Sequence, residues 1–369
     1  MIYLDNGATS FPKPTSVGLA MLEAMDSCGN PGRGGYPAAM KGTQVVYACR
    51  RRVAALFDCD PEQVVFTSSC THGLNMAIRT IFKEGDRVLV SGFEHNAVTR
   101  TLTGLGCKMI VAGRKLFDWE NTLAEFREAL DSGAAGAVFT HVSNVFGYIL
   151  PVAEMAKMCR EKGIPFVIDA AQSAGNQPLS FRELGADFIA MPGHKGLLGP
   201  MGTGVLLCGR LPEPLLMGGT GSESKNQGMP DFLPDRGEAG TVNVPGIAGL
   251  GAGVMHLQKY GVRNIGKREQ ECAYRTGEAL KKLGFQVFMG EHQGGTVSFL
   301  PGGDCEEGAA FLARKGIAVR AGFHCAPLAH ESAGTLDTGT LRVSFGADAN
   351  MAQVRALLRA ASKLRAREF

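Results

Sequence analysis

The residues with the clearest chemical purpose are Met191-Pro192-Gly193-His194-Lys195-Gly196-Leu197-Leu198-Gly199-Pro200, where one lysine sits in a glycine-rich loop. The loop follows an apolar run, Asp187-Phe188-Ile189-Ala190-Met191, that reads as a buried strand. A surface lysine needs no such support. A lysine that forms a Schiff base does, because its amine must be neutral part of the time and fixed in place.

Other polar clusters fall just past apolar runs: Ser68-Ser69-Cys70-Thr71, Glu94-His95-Asn96, Ser143-Asn144, and Asp169 with Gln172. In open parallel sheets ligands lie outside the carboxyl ends of the strands, so these clusters should meet at one edge. Ser68 to Thr71 precede a helix, where free N–H groups and hydroxyls make an anion cradle or, alternatively, a plain helix cap. Asp169 ends an apolar strand, where an unpaired carboxylate is unfavourable. Facing a pyridine nitrogen it would keep that nitrogen protonated; otherwise it caps the next helix. With Lys195 these features point to pyridoxal phosphate. His95 reads either as a residue lying over a flat cofactor ring or as a satisfied polar core residue.

Cys325 lies in Arg320-Ala321-Gly322-Phe323-His324-Cys325-Ala326-Pro327, a turn-rich loop between two strands. A neighbouring histidine or arginine favours the reactive thiolate. Nine other cysteines are scattered through the chain, so an inert buried thiol is the default for any one of them. Cys325 alone has a basic residue directly beside it in a loop expected to be exposed. His324, Cys325 and His330 lack a fourth ligand at usable spacing, so no metal is expected. Arg342, in a strand, suits a substrate carboxylate or an internal salt bridge equally well.

The elements that must position these residues are legible as apolar runs. Strands are expected at Gln63 to Thr67, Arg87 to Val90, Ala137 to Thr140, Pro165 to Asp169, Asp187 to Met191 and Val205 to Cys208. Helices are expected at Thr15 to Met25, Gln44 to Phe57, His72 to Phe82 and Val152 to Lys162. This alternation predicts an α/β fold, a mostly parallel sheet with helices on both faces. From about Ala252 the pattern becomes a smaller α+β domain. Its strands are Gln286 to Phe288, Thr296 to Leu300, Ile317 to Arg320 and Leu341 to Phe345, with helices at Glu306 to Arg314 and Met351 to Arg365. The division is a large domain at 15–251 and a small one at 1–14 and 252–369 that carries the Cys325 loop.

Composition bounds the partners. A net charge of +3 over 369 residues, with both signs dispersed, disfavours nucleic acid. Fifty glycines point to many tight turns and ligand-cradling loops. No run reaches the ~18 apolar residues of a membrane span, and no secretory signal opens the chain. The ten cysteines are therefore expected as reduced thiols in a cytoplasm. The glycines at 246–253 do not follow a strand in the dinucleotide-binding pattern, so a nucleotide site there is disfavoured.

Taken together, several segments resemble the class V aminotransferase group of fold-type-I pyridoxal phosphate enzymes. They are Tyr3 to Thr9, Glu94 to Ala97, Thr140 to Gly147, Asp169 to Gln172, Gly193 to Lys195, Glu238 to Asn243 and Arg320 to Cys325. Within that group the chain looks like the cysteine desulfurase/selenocysteine lyase branch, in its group II (SUF-type) form with a short nucleophile loop.

The resemblance implies a seven-stranded sheet in the large domain, in which Lys195 carries the cofactor, Asp169 faces its ring nitrogen, Gln172 donates to its phenolic oxygen and His95 stacks on the ring. It places Cys70, Thr71 and His194 at the phosphate, with Thr241 reaching it from the second subunit of a homodimer. Asn144, Arg342 and Arg320 would contact the amino-acid substrate, cysteine or selenocysteine, and Cys325 would accept the sulfur and pass it to an acceptor thiol or protein. Three positions depart from the pattern. Pro192 and Cys70 stand where the family usually has phosphate-binding hydroxyls, for which Ser68 and Ser69 are expected to compensate. Phe323 replaces the first of two histidines before the nucleophile. Selenocysteine lyase, another aminotransferase or lyase of the class, and a non-catalytic homologue are the rival expectations.

Overall fold

In the computed structural model, residues 1–32 and 34–365 are described. The chain opens with β1 (Ile2–Tyr3), α1 (Thr15–Ser27) and α2 (Pro37–Phe57). The last begins seven residues before the expected Gln44, because Pro37 occupies its first turn, where a missing N–H does no harm. The alternating region then runs β2 (Val64–Thr67), α3 (Cys70–Ile81), β3 (Arg87–Ser91), α4 (Asn96–Gly104), β4 (Lys108–Ala112), α5 (Trp119–Asp131), β5 (Gly136–Thr140) and α6 (Val152–Lys162). It continues with β6 (Phe166–Asp169), α7 (Phe181–Leu184), β7 (Phe188–Pro192) and β8 (Gly204–Cys208).

These strands form one seven-stranded sheet in the order β2-β8-β7-β6-β5-β3-β4. Strand β8 is antiparallel to both neighbours and every other pairing is parallel. Both faces are covered, which is why the strands read as unbroken apolar runs. Along β5, Ala137 and Phe139 enter the core on one face and Val138 the core on the other.

Helix α8 (Val244–Tyr260) spans residue 252 and packs on α1 and α2. Its glycines have a packing purpose: a Cβ on Gly253 would lie 2.4 Å from the carbonyl oxygen of Leu197. The glycine stretch is thus a helix surface pressed against the Lys195 loop.

After α9 (Val262–Lys282) come β9 (Gln286–Phe288), β10 (Thr296–Leu300), α10 (Cys305–Arg314), β11 (Ile317–Ala318), β12 (Arg320–Gly322), α11 (Pro327–Ala333), β13 (Thr340–Ser344) and α12 (Met351–Arg365). An antiparallel sheet, β12-β13-β10-β9, is buried beneath α9, α10 and α12 with its own core around Phe299, Leu312 and Val343. The single strand expected at Ile317 to Arg320 is two. Ile317 and Ala318 pair with β1, whereas Arg320 turns to pair with β13, so the chain changes sheets at Val319.

Candidate active site

Past the carboxyl ends of the large sheet's parallel strands lies a cleft of about 400 Å³, lined by residues from both sheets' surroundings. Lys195 stands at its floor, held by a loop that tolerates no side chain at Gly196, where a Cβ would fall 2.2 Å from the carbonyl oxygen of Ala174. Removal from bulk water pushes the Lys195 pKa down, with the Asp169 carboxylate acting in the opposite direction. That is the electrostatic setting a Schiff-base lysine requires.

Asp169 ends β6 and is buried. Its Oδ1 accepts the N–H of Ala171 at 2.8 Å and faces the Cys70 thiol at 3.6 Å. Burial and the neighbouring carboxylate push Cys70 well above the usual thiol range, so it donates to Asp169 as a neutral group. His95 caps α4, its Nδ1 accepting the N–H of Ala97 at 3.0 Å. This bond fixes the tautomer with the proton on Nε2, and burial lowers the ring's pKa, keeping it neutral.

The anion cradle forms where α3 begins. Ser69 caps the helix by accepting the N–H of His72 at 3.1 Å, which leaves the first N–H groups, those of Cys70 and Thr71, for a ligand. Of the two serines expected to compensate for Pro192 and Cys70, Ser69 lines the cleft and Ser68 does not. Ser68 is exposed, its hydroxyl lies 3.3 Å from His72 Nδ1, and it lines a different hollow. His194 borders the cleft with Nδ1 3.0 Å from Thr9 Oγ1, and burial with the nearby Lys195 and Lys13 brings its pKa down to about 4.

On the opposite wall Cys325 is the only exposed cysteine; the other nine are buried or half-buried. His324 and Cys325 both adopt left-handed backbone, φ 50° and 57°. The Cys325 carbonyl accepts the N–H of Asn96 at 2.7 Å, and the His324 carbonyl accepts Asn144 Nδ2 at 2.6 Å. Burial, with Arg342 and His330 adding to it, drives His324 down to about 2, so it is a neutral packing residue.

The structure brings Lys195, Asp169, Gln172, His95, Cys70, Thr71, His194, Asn144, Arg320, Arg342 and Cys325 to one cleft. Thr241 is not among them. It is exposed on the hollow that contains Ser68 and His72. Two side chains carry structural bonds as well: Gln172 Nε2 donates to the Gly7 carbonyl at 2.9 Å, and Asn144 holds the Cys325 loop. Arg342 proves to have the internal salt bridge, to Asp5 at 2.7 Å, while still lining the cleft. Asp5 and Glu94 had no role from the sequence. Glu94, fully buried, accepts the N–H of Thr140 at 2.8 Å and a bond from Ser91, tying β3 to β5 beneath His95. A charged residue beside His95 at the end of an apolar strand was the available signal.

A model of the family described as aminotransferase class-V matches residues 2–357. The chain belongs to the class-V aminotransferase family. It is similar to a probable cysteine desulfurase of Pyrococcus abyssi, 33% identical over 97% of this chain and 92% of the relative. A probable cysteine desulfurase of Methanothermobacter thermautotrophicus is 31% identical over 93% and 90%. Among solved structures, the apo cysteine desulfurase from Thermococcus onnurineus NA1 superposes with a TM-score of 0.90 at 32% identity, covering 98% of this chain and 94% of that one. The class-V family is built around pyridoxal phosphate, and the site fits that group: an amine kept from bulk water, a buried carboxylate on the neighbouring strand and a helix N-terminus share one cleft.

Proposed function

We propose that this protein is a pyridoxal-phosphate-dependent cysteine desulfurase that moves sulfur from L-cysteine to Cys325 and releases L-alanine. One observation carries the reading. The single exposed cysteine of the chain stands on the same cleft as Lys195 and Asp169. The relatives named as cysteine desulfurases support it.

Lys195 Nζ would hold the cofactor at its aldehyde carbon, Asp169 would face its ring nitrogen and His95 its ring, and Gln172 would border it. The N-terminus of α3 at Cys70 and Thr71, with His194, would hold the phosphate. When bound, the cofactor supplies an electron sink for charge left on the substrate's α-carbon. Arg342, bordered by Asn144 and Arg320, takes the substrate carboxylate, and Lys195 Nζ carries the α-proton. Cys325 Sγ attacks the substrate sulfur: an S–S bond forms, the Cβ–S bond breaks, and the β-carbon takes a proton. Cysteine and one enzyme thiol become alanine and one persulfide, so no outside oxidant or reductant enters.

A homodimer with Thr241 completing the partner's site suits the apolar residues exposed on α1 and α2, including Leu19, Leu22, Met25, Met40 and Tyr47. An acceptor thiol or protein removes the sulfur, and the free thiols suit a reducing, cytoplasmic setting. Among the described residues no helix is long and apolar enough to cross a membrane. The test is to load the protein with pyridoxal phosphate and assay alanine from cysteine and from selenocysteine. Cysteine turnover that disappears in Cys325→Ser, with visible absorbance retained, supports the reading. Undiminished turnover in that variant overturns it, and turnover of selenocysteine alone would make the protein a selenocysteine lyase.

A further inference from the structure

The two arginines of the cleft are joined through one carboxylate from the far end of the chain. Asp5 Oδ2 receives Arg320 from Nε at 3.0 Å and from Nη2 at 2.9 Å, and Asp5 Oδ1 receives Arg342 Nη2 at 2.7 Å. Each oxygen of one carboxylate therefore serves one guanidinium. Arg342 has a second anchor, Nη1 donating to the Asn144 carbonyl at 2.9 Å. Two of its five N–H donors are thereby engaged, and its buried Nε has no hydrogen-bond partner among the described residues. Arg342 lines the cleft with N–H donors still to be satisfied.

Asp5 is itself held in register. Ser344, two residues from Arg342 on β13, donates its N–H to the Leu4 carbonyl at 2.8 Å, and the Gly7 N–H donates to Ser344 Oγ at 2.8 Å. The chain passes so close over the guanidinium that a Cβ on Gly7 would sit 3.2 Å from Arg342 Cζ. The Asp5 carboxylate is thus delivered to both arginines by rigid backbone, as a preorganised site requires.

The charges follow directly. Two guanidinium groups and one carboxylate leave one net positive charge, enough to match one ligand carboxylate. A second anionic group on the ligand would be left in a partly desolvated cleft without a counter-charge. We infer that Asp5 is a specificity-determining positioning residue: by bridging Arg320 and Arg342 it sets the cleft to accept amino acids with a single carboxylate and to disfavour dicarboxylates. The inference rests on the reading of Arg342 as the substrate-carboxylate anchor.

The experiment is calorimetric titration of the pyridoxal-phosphate-loaded protein with propionate and with succinate, which have no amine to react. The native chain is expected to bind propionate more tightly than succinate. Asp5→Asn, of the same shape but without the charge, should lower that preference about tenfold, and adding Arg320→Gln should restore it by returning the count to one. An unchanged preference in Asp5→Asn overturns the inference while leaving the Arg342 reading intact. If propionate binds the native chain and Arg342→Ala alike, the Arg342 reading fails and the inference with it. Should Asp5→Asn not fold, Arg320→Gln alone decides, because Arg320 is half exposed and its loss is tolerable. It should weaken propionate several-fold and succinate further; unchanged binding of both overturns the inference.

Discussion

The backbone N–H of Asn96 donates to the carbonyl oxygen of Cys325 at 2.7 Å, so the loop bearing the exposed thiol hangs from the same helix start that carries His95. With Asn144 holding the His324 carbonyl, two hydrogen bonds secure two successive left-handed residues that would otherwise each be unfavourable by about 1–2 kcal/mol. A thiol fixed in this way reaches the cleft without a large loop movement.

Asn144→Ala should release one side of that loop. The loss of a hydrogen bond worth about 1 kcal/mol should slow sulfur transfer to Cys325 about fivefold in a single turnover, while visible cofactor absorbance is kept. Limited proteolysis near residues 323–326 should speed up in parallel. A slower reaction with unchanged proteolysis would mean that Asn144 acts on the substrate instead.

The buried pair Arg50–Glu238, 2.8 Å apart, should dominate the stability of the segment leading to Thr241. Glu238 also accepts the N–H of Phe66 at 2.6 Å, locking that segment to β2. Glu238→Ala should destabilise the fold by about 3–5 kcal/mol in urea, since it strands a buried guanidinium. Replacing both partners, Arg50→Met with Glu238→Leu, should recover much of the loss.

Stability should depend on pH in a defined way. Burial raises Glu94 and Glu269 to about 8, so in the folded chain they keep protons that the unfolded chain releases above its carboxylate range. Their contribution is full below the unfolded value and is lost as pH rises toward 8. Burial lowers His141 and His194 to about 4, so their contribution is full above the unfolded histidine value and falls as pH drops toward 4. Between the carboxylate and histidine values the two sets oppose each other; above 6.5 only the carboxyl effect remains. The urea midpoint should therefore fall from pH 6.5 to 8, and Glu269→Gln should flatten that limb. An unaltered slope in the variant would contradict the assignment to Glu269.

How far the sequence reaches follows from where each interaction lies along the chain. Strands such as Val205 to Cys208 are apolar on both faces and therefore visible as runs, and Lys195, Asp169 and Cys325 each carry a local signature. Strand β4 is not visible in this way, because it lies at the sheet edge with Lys108 exposed and Met109, Ile110 and Val111 only half-buried. The Asp5 bridge joins positions more than three hundred residues apart, and no local pattern announces it. The glycines of α8 look like a loop motif until the helix is seen against the Leu197 carbonyl. The fate of Ser68 depends on which way one exposed hydroxyl turns, which spacing does not determine.

Sulfur transfer to Cys325 is tested by treating the pyridoxal-phosphate-loaded protein with L-cysteine, without reductant, and locating the transferred sulfur by peptide mass spectrometry. Alanine is expected in an initial burst of about one per chain, with the mass of one added sulfur atom on the peptide containing Cys325. Alanine formed with Cys325 unmodified, or sulfur found on another of the ten cysteines, would contradict that transfer.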